Sequence, residues 1–253
     1  MILRRITHHM RAQNWSAIAI EFVLVVLGVF LGISAANWNQ ARADQQQTRR
    51  LLSQLRPELV DFDKFLASLE KYNKVTGRYA EVAFAGWEND PRISNRDFVI
   101  AAYQASQVTA VGNNTNVWSE IFGADNLRNI EDFQLRRGIA RIMTFDNNLV
   151  DLAAVATPYR EQVRKVIPQP VQESIRAHCG DRSRPGNPGI FMLPATCDIA
   201  LDERLVAQAA GALRGRADLA QELRWHRAAI ANQLLNANVM RQFLGDVIRR
   251  IES

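Results

Sequence analysis

The feature that most constrains this chain is an apolar stretch near the N-terminus, residues 17–36, which carries one charge, Glu21. With a rise of 1.5 Å per residue, a helix of this length spans about 30 Å, the thickness of the hydrocarbon core of a bilayer. Trp15 and Trp38 flank the stretch, as aromatic residues do at membrane interfaces. The sequence therefore predicts a transmembrane helix over residues 16–38, with the lipid bilayer as its first partner.

A cleaved signal peptide is the alternative interpretation of the same stretch. Arginines precede it, and the small residues Ser34, Ala35 and Ala36 could form a cleavage site. However, the stretch is longer than the apolar region of a signal peptide, which is about 7–15 residues, and it contains Glu21. We therefore expect an anchor that stays attached to the chain.

The orientation of the anchor is predicted from its flanks and from the cysteines. Three arginines precede it and three follow closely, so the positive-inside rule is nearly balanced. A short tail before a single apolar segment is the usual layout of an anchor with a cytoplasmic N-terminus, and paired cysteines favour an oxidising compartment. We predict a bacterial inner-membrane protein with a cytoplasmic tail (residues 1–15) and a periplasmic domain (residues 39–253).

Four residues of the predicted anchor share one helix face. Gly28 and Gly32 form a GxxxG pattern, which lets two helix backbones approach closely, and Glu21 and Ala35 lie on the same face. This face predicts self-association into a homo-oligomer. In the alternative interpretation the glycines are incidental and Glu21 extends to the nearby interface. A deeper Glu21 would instead suit a proton-linked channel or motor subunit.

The anchor also carries a resemblance. It begins with Glu21, continues through a Leu/Val-rich stretch to Gly28, and ends in Asn-Trp-Asn-Gln at residues 37–40. This pattern resembles a family of uncharacterised bacterial single-pass membrane proteins, whose anchor ends in an Asn-Trp-Asn-Glu signature. Gln40 stands where that family usually has Glu, and a looser similarity lies in residues 118–130. The resemblance implies an anchor with a helical domain and implies no activity.

The remaining chain shows the hydrophobic period of helices. Apolar residues recur at spacings of three and four over residues 52–69, and Pro57 within them predicts a kink or a helix start. This stripe has coiled-coil character and can pack within one chain or against a second copy. We find no strand-like alternation of useful length. The predicted fold class is all-α, a transmembrane helix followed by an extramembrane helical bundle.

Later helix ends are predicted from capping residues. Ser94 is placed to cap a short helix, and Asp125 to cap another whose apolar face includes Phe133. The last helix is predicted to begin near Asp218 and to run to the end of the chain. His226 falls on its apolar stripe, so we expect a core residue rather than a ligand.

The segment between Cys179 and Cys197 is predicted to be non-helical. These are the only two cysteines, and a disulfide between them would contribute about 3 kcal/mol by constraining the unfolded chain. A turn-rich stretch is followed by an apolar run that includes Phe191, Met192 and Leu193. This run predicts a partner or ligand contact on a fixed loop; the alternative is that it fills the bundle core.

Motifs of catalysis are absent from the sequence. There is no GxSxG, no HExxH, no glycine-rich phosphate loop and no paired-cysteine metal site, so we predict no enzymatic activity, no cofactor and no metal. The net charge of +5 comes mainly from arginines interspersed with acids, so nucleic-acid binding is not expected. The predicted function is a self-associating, membrane-anchored interaction module. The alternative is a periplasmic sensor or ligand-binding subunit that acts through a protein partner in the membrane or periplasm.

Overall fold

The computed structural model describes residues 15–109, 125–146, 149–150 and 157–252. These residues form seven α-helices, a 3₁₀ helix and one β-hairpin, which confirms the all-α class. In chain order the elements are α1 (Trp15–Trp87), α2 (Asn95–Gln104), the 3₁₀ helix (Asp125–Asn129), α3 (Phe133–Met143), α4 (Pro158–Val166), α5 (Gln169–Cys179), β1 (Arg182–Arg184), β2 (Asn187–Met192), α6 (Glu203–Arg214) and α7 (Asp218–Glu252). The predicted tail before residue 15 and the similarity over residues 118–124 lie outside the described residues.

The longest element is α1, a single helix of 73 residues. Near its N-terminus it contains a segment long and apolar enough to cross a membrane, none of which is buried against the rest of the chain. The helix then passes through Pro57. The expectation of a helix start near Pro57 is therefore wrong. Pro57 removes one backbone donor from the helix, but it lies on the exposed side, where water can hydrogen-bond the freed carbonyl of Ser53.

The C-terminal helix α7 runs antiparallel to α1 along most of the bundle. Arg56 of α1 pairs with Glu252 at the end of α7, and further along the bundle Arg227 donates to Thr76 Oγ1 at 2.8 Å. Helix α7 begins at Asp218, as predicted. The two long helices therefore form the frame against which the shorter helices pack.

Two apolar clusters fill this frame. One lies beside residues 51–69 of α1 and joins α3 to residues 230–251 of α7. The other lies beside residues 72–87 and joins α2, α4, α5, α6 and the start of α7. The predicted stripe is thus buried inside one chain, with five of its side chains at most 7% exposed: Leu55, Leu59, Phe62, Leu66 and Leu69. The alternative in which it packs against a second copy is wrong, because this chain's own helices cover it.

One of the two predicted caps is correct. The Ser94 hydroxyl accepts the backbone N–H of Asp97 at 3.1 Å, at the start of α2. Asp125 instead begins the 3₁₀ helix, and Asp132 caps α3 by accepting the backbone N–H groups of Gln134 and Leu135. Because α3 begins later than expected, its apolar face is also shifted, and Phe133 is 56% exposed.

The segment after α5 is a hairpin closed by a disulfide. Cys179 and Cys197 are bonded, with their Cα atoms 5.6 Å apart, as predicted. Within the closed loop β1 pairs antiparallel with β2, with a register shift before Arg184, and the turn contains Gly186 at φ 78°. The strands were not predicted, because β1 has three residues and the register shift breaks the alternation.

Candidate functional site

The four anchor residues predicted to form an association face all lie on the projecting part of α1. A Cβ atom added at Gly28 or Gly32 would meet nothing within 4 Å, so the small-residue face is not covered by this chain. Glu21 is half-buried on the same helix, and Ala35 is exposed. The carboxylate atom Oε2 of Glu21 is shielded from solvent and has no hydrogen-bond partner among the described residues. The face is therefore open to a second helix.

A second candidate site is a groove between the hairpin and α1, which we call the hairpin groove. Its volume is about 460 Å³. The hairpin side brings together all three residues of the predicted loop and two others: Arg184, Ile190, Phe191, Met192 and Leu193. The α1 side supplies two lysines, two small residues, a tyrosine and a valine: Lys64, Lys71, Ala67, Ser68, Tyr72 and Val75. The hairpin wall of this groove contains residues that the sequence singled out, whereas the α1 wall was not predicted.

The three predicted loop residues differ in burial. Leu193 is 5% exposed and belongs to the apolar core, Phe191 is half-buried, and Met192 is 44% exposed. Core filling therefore describes Leu193, whereas Met192 and part of Phe191 remain available at the surface. The disulfide and the strand pairing hold this short apolar surface in place against α1.

The charged residues of the hairpin groove are all basic. Lys64 pairs with Asp61 at 2.8 Å, but neither Lys71 nor Arg184 makes an ion pair or a side-chain hydrogen bond in the described part of the chain. Among the residues that the structure describes, no carboxylate lines the groove. Lys71 and Arg184 therefore place positive charge beside an apolar wall without a direct ion pair among the described residues.

Tyr72 forms the inner boundary of the groove. Its hydroxyl donates to Asp181 Oδ1 at 2.6 Å. Burial, and then the nearby carboxylate, raises the pKa of Tyr72 far above its usual range, so the phenol remains a donor. Asp181 is exposed as a whole residue, yet the surrounding protein raises the pKa of its carboxyl, against the lowering effect of the Tyr72 hydrogen bond. This contact attaches the base of the hairpin to α1.

An arginine cluster lies behind this contact, around the C-terminal end of α2. Arg164 donates to Gln107 Oε1 at 3.1 Å and lies 5.3 Å from the ring of Tyr103, and Arg176 approaches the hydroxyl of the same tyrosine. Burial, and then the neighbouring Arg160, lowers the pKa of Arg164. Cations are favourable at the C-terminal end of a helix, so we interpret the cluster as a cap of α2. The cluster was not predicted from the sequence, because its arginines come from two helices, α4 and α5, and converge on the end of a third, α2.

His226 is a core residue, as predicted. It is fully buried, its Nδ1 shares a hydrogen bond with the hydroxyl of Thr157, and its ring centroid lies 5.7 Å from that of Tyr159. Burial, and then the charge of Arg227, lowers the pKa of His226 to about 4. The imidazole is therefore neutral at physiological pH. Among the described residues, no three His, Cys, Asp or Glu side chains come together to hold a metal ion.

One feature of the sequence marks the α1 wall of the groove, which was not predicted. Three of the four lysines of the chain lie within eleven residues of α1, at positions 64, 71 and 74, although arginine is the common cation elsewhere. Lys74 pairs with Glu70 outside the groove, whereas the other two line it. The local enrichment was visible in the sequence, but its position opposite the hairpin was not.

The chain was compared with protein-family models, with curated proteins and with solved structures, and nothing matches. Function is therefore inferred from the chain's own residues.

Proposed function

We propose that this chain is a membrane-anchored helical interaction module that self-associates through the anchor face formed by Glu21, Gly28, Gly32 and Ala35. The observation that carries the proposal is the continuity of α1. One uninterrupted helix contains both the uncovered small-residue face and the long side of the bundle. Pairing of two anchors would therefore also set the position of the two bundles.

The chemistry of the anchor face supports association. Within lipid, helices gain little from the hydrophobic effect and associate where small residues allow close backbone contact. Gly28 and Gly32 are such residues, with open space at both Cβ positions. A carboxylate inside a membrane segment is costly without a partner, and a second helix would offer one to Glu21.

The length of the exposed helix sets the geometry of the assembly. From residue 36 to residue 51, where the core begins, α1 rises about 22 Å. No flexible linker separates the two parts, because residues 37–50 are helical. The bundle is therefore held at a short, defined distance from the bilayer surface.

The test of self-association is the double substitution Gly28→Ile and Gly32→Ile. Two branched side chains block close backbone approach, so we expect the association constant to fall at least tenfold. The measurement is Förster transfer between differently labelled copies in liposomes. The matched control is Val23→Ile with Val26→Ile on the opposite helix face, which should leave transfer unchanged. Förster transfer as high in the glycine double variant as in the unmodified chain would show that the helices do not associate through this face.

For localisation we propose the bacterial inner membrane, with the N-terminus in the cytoplasm and the bundle in the periplasm. The disulfide between Cys179 and Cys197 supports an oxidising compartment. The test is labelling of intact cells with a membrane-impermeant thiol reagent. We expect labelling only after a reductant is added. Thiols that react without reductant, and only after lysis, would place the bundle in the cytoplasm.

A second candidate function is a ligand-binding or sensing subunit that acts through a protein partner in the membrane or periplasm. The observation that favours it is the position of the hairpin groove. One wall of the groove belongs to α1, the same helix that continues into the anchor. A ligand bound there would contact the element that reaches the membrane.

A further inference from the structure

The hairpin groove combines an apolar wall with two unpaired cations. Val75 of α1 and Phe191 of the hairpin are half-buried, and Met192 is 44% exposed, so apolar surface remains open to a ligand. Lys71 on the α1 wall and Arg184 on the hairpin wall are both exposed. The groove therefore offers two kinds of contact within one cavity.

The charge of the groove selects the sign of its ligand. Among the described residues, neither Lys71 nor Arg184 forms a direct ion pair, and no carboxylate lines the cavity. Six of the other twelve Lys and Arg side chains on the two long helices form ion pairs, as Arg241 does with Asp63 at 2.9 Å and Lys74 does with Glu70 at 2.8 Å. A ligand anion would supply the missing charge, whereas a cation would meet only repulsion.

We propose that the hairpin groove binds a small amphipathic anion, with a carboxylate or phosphate head between Lys71 and Arg184 and an apolar body against Val75, Phe191 and Met192. The inference rests on the second proposed function and names its ligand class. Neither an inorganic ion, which would leave the apolar wall uncovered, nor a neutral hydrocarbon, which would leave both cations unpaired, satisfies the whole groove.

The size and stiffness of the groove agree with a small ligand. Its volume of about 460 Å³ lies within the range of small-molecule sites, about 300–1,000 Å³. The disulfide and strand pairing fix the hairpin wall, and the long helix fixes the other wall. Little ordering is then needed when a ligand binds, which favours affinity.

The experiment uses the full chain in phosphatidylcholine nanodiscs and radiolabelled octanoate, a soluble anion with an apolar tail. Binding is measured by equilibrium dialysis, with empty nanodiscs subtracted as background. Octanoate should bind at least tenfold more tightly than octyltrimethylammonium, which has the same tail and the opposite charge. Acetate, which lacks the tail, should bind at least tenfold more weakly than octanoate.

Variants locate the site. Lys71→Glu with Arg184→Glu should weaken octanoate binding at least tenfold. The matched control is Lys74→Glu with Arg182→Glu, which makes the same charge change on the same two elements outside the groove and should leave binding within about twofold. The proposal is overturned if the two double variants behave alike, or if the cationic and anionic probes bind equally. It is also overturned if octanoate fails to bind while an extended acidic peptide binds through Lys71 and Arg184.

Octanoate added to the liposomes of the self-association test separates this inference from the proposed functions. Förster transfer between anchors is measured with and without saturating octanoate. A change in transfer supports both the ligand class and a sensing function. Binding without any change supports the ligand class and shows that the ligand does not act by altering the pairing of the anchors. Absence of binding overturns the inference and leaves the self-association result standing on the glycine variants alone.

Discussion

The two halves of α1 place apolar residues in opposite environments. Over residues 15–47 no described side chain is buried, and large apolar residues such as Phe22, Leu24 and Phe30 are more than 60% exposed. From residue 48 onward the apolar positions face inward, and Leu69 and Ala83 are completely buried. The backbone is the same uninterrupted helix in both halves. The difference shows that helix formation and apolar composition do not determine which medium covers a helix.

The pattern of apolar residues accounts for the difference. Over residues 17–36 they surround the helix, so no single face is set aside for a protein core, an arrangement that suits a bilayer because lipid can cover every face. In the second half they form one stripe, which this chain's own helices cover. Exposed apolar surface on the scale of the first half is untypical of a soluble monomer. Two changes test this contrast.

The largest expected effect follows from Leu69→Ala in the buried half. Leu69 is 0% exposed, and removing a fully buried leucine leaves a cavity. We expect the free energy of unfolding of the bundle to fall by about 2–5 kcal/mol. The measurement is urea unfolding of the full chain in nanodiscs, followed by circular dichroism.

The matched control is Leu27→Ala in the exposed half, where Leu27 is 49% exposed. Its effect on bundle unfolding should stay within about 0.5 kcal/mol. An equal loss of stability in the two variants would show that the N-terminal half belongs to the folded core, and the contrast between the halves would be lost.

A smaller effect is expected from His226, which packs inside the bundle, and it depends on pH. The pKa of His226 falls from 6.5 to about 4 on folding. Between these pH values the unfolded chain therefore binds a proton that the folded chain does not, so stability rises with pH in this window and is lost as pH falls from about 6.5 towards 4. The full loss would be at most about 3 kcal/mol.

The pH effect is measured by urea unfolding at a series of pH values. His226→Gln should remove most of this slope, and His178→Gln, at an exposed histidine, should leave it unchanged. The N-terminal half of α1 should keep its helicity throughout. A slope that persists in His226→Gln would mean that other groups dominate acid unfolding.

The hairpin shows how far sequence reasoning extended towards the candidate site. Cys179, Cys197 and the apolar residues Phe191, Met192 and Leu193 were all recognisable, because cysteines and a turn-rich break are local signals. The opposite wall, with Lys71 and Val75, was not recognisable, because it lies more than a hundred residues earlier in the chain. Met192 points outward and Leu193 enters the core because of how the two strands pair. This pairing could not be predicted, because the strands are short and irregular.

By itself, the sequence determined the apolar segment that can cross a membrane, the helical class, the amphipathic stripe of residues 52–69, the cap at Ser94 and the start of α7 at Asp218. Each depends on residues within a few turns of one another, where periodicity and capping chemistry act. Only the tertiary structure decided that α1 continues through Pro57, that α3 begins after Asp132, that the stripe packs within one chain, and that Lys71 and Arg184 line the same groove. These features depend on contacts between distant segments, where packing outweighs local preference.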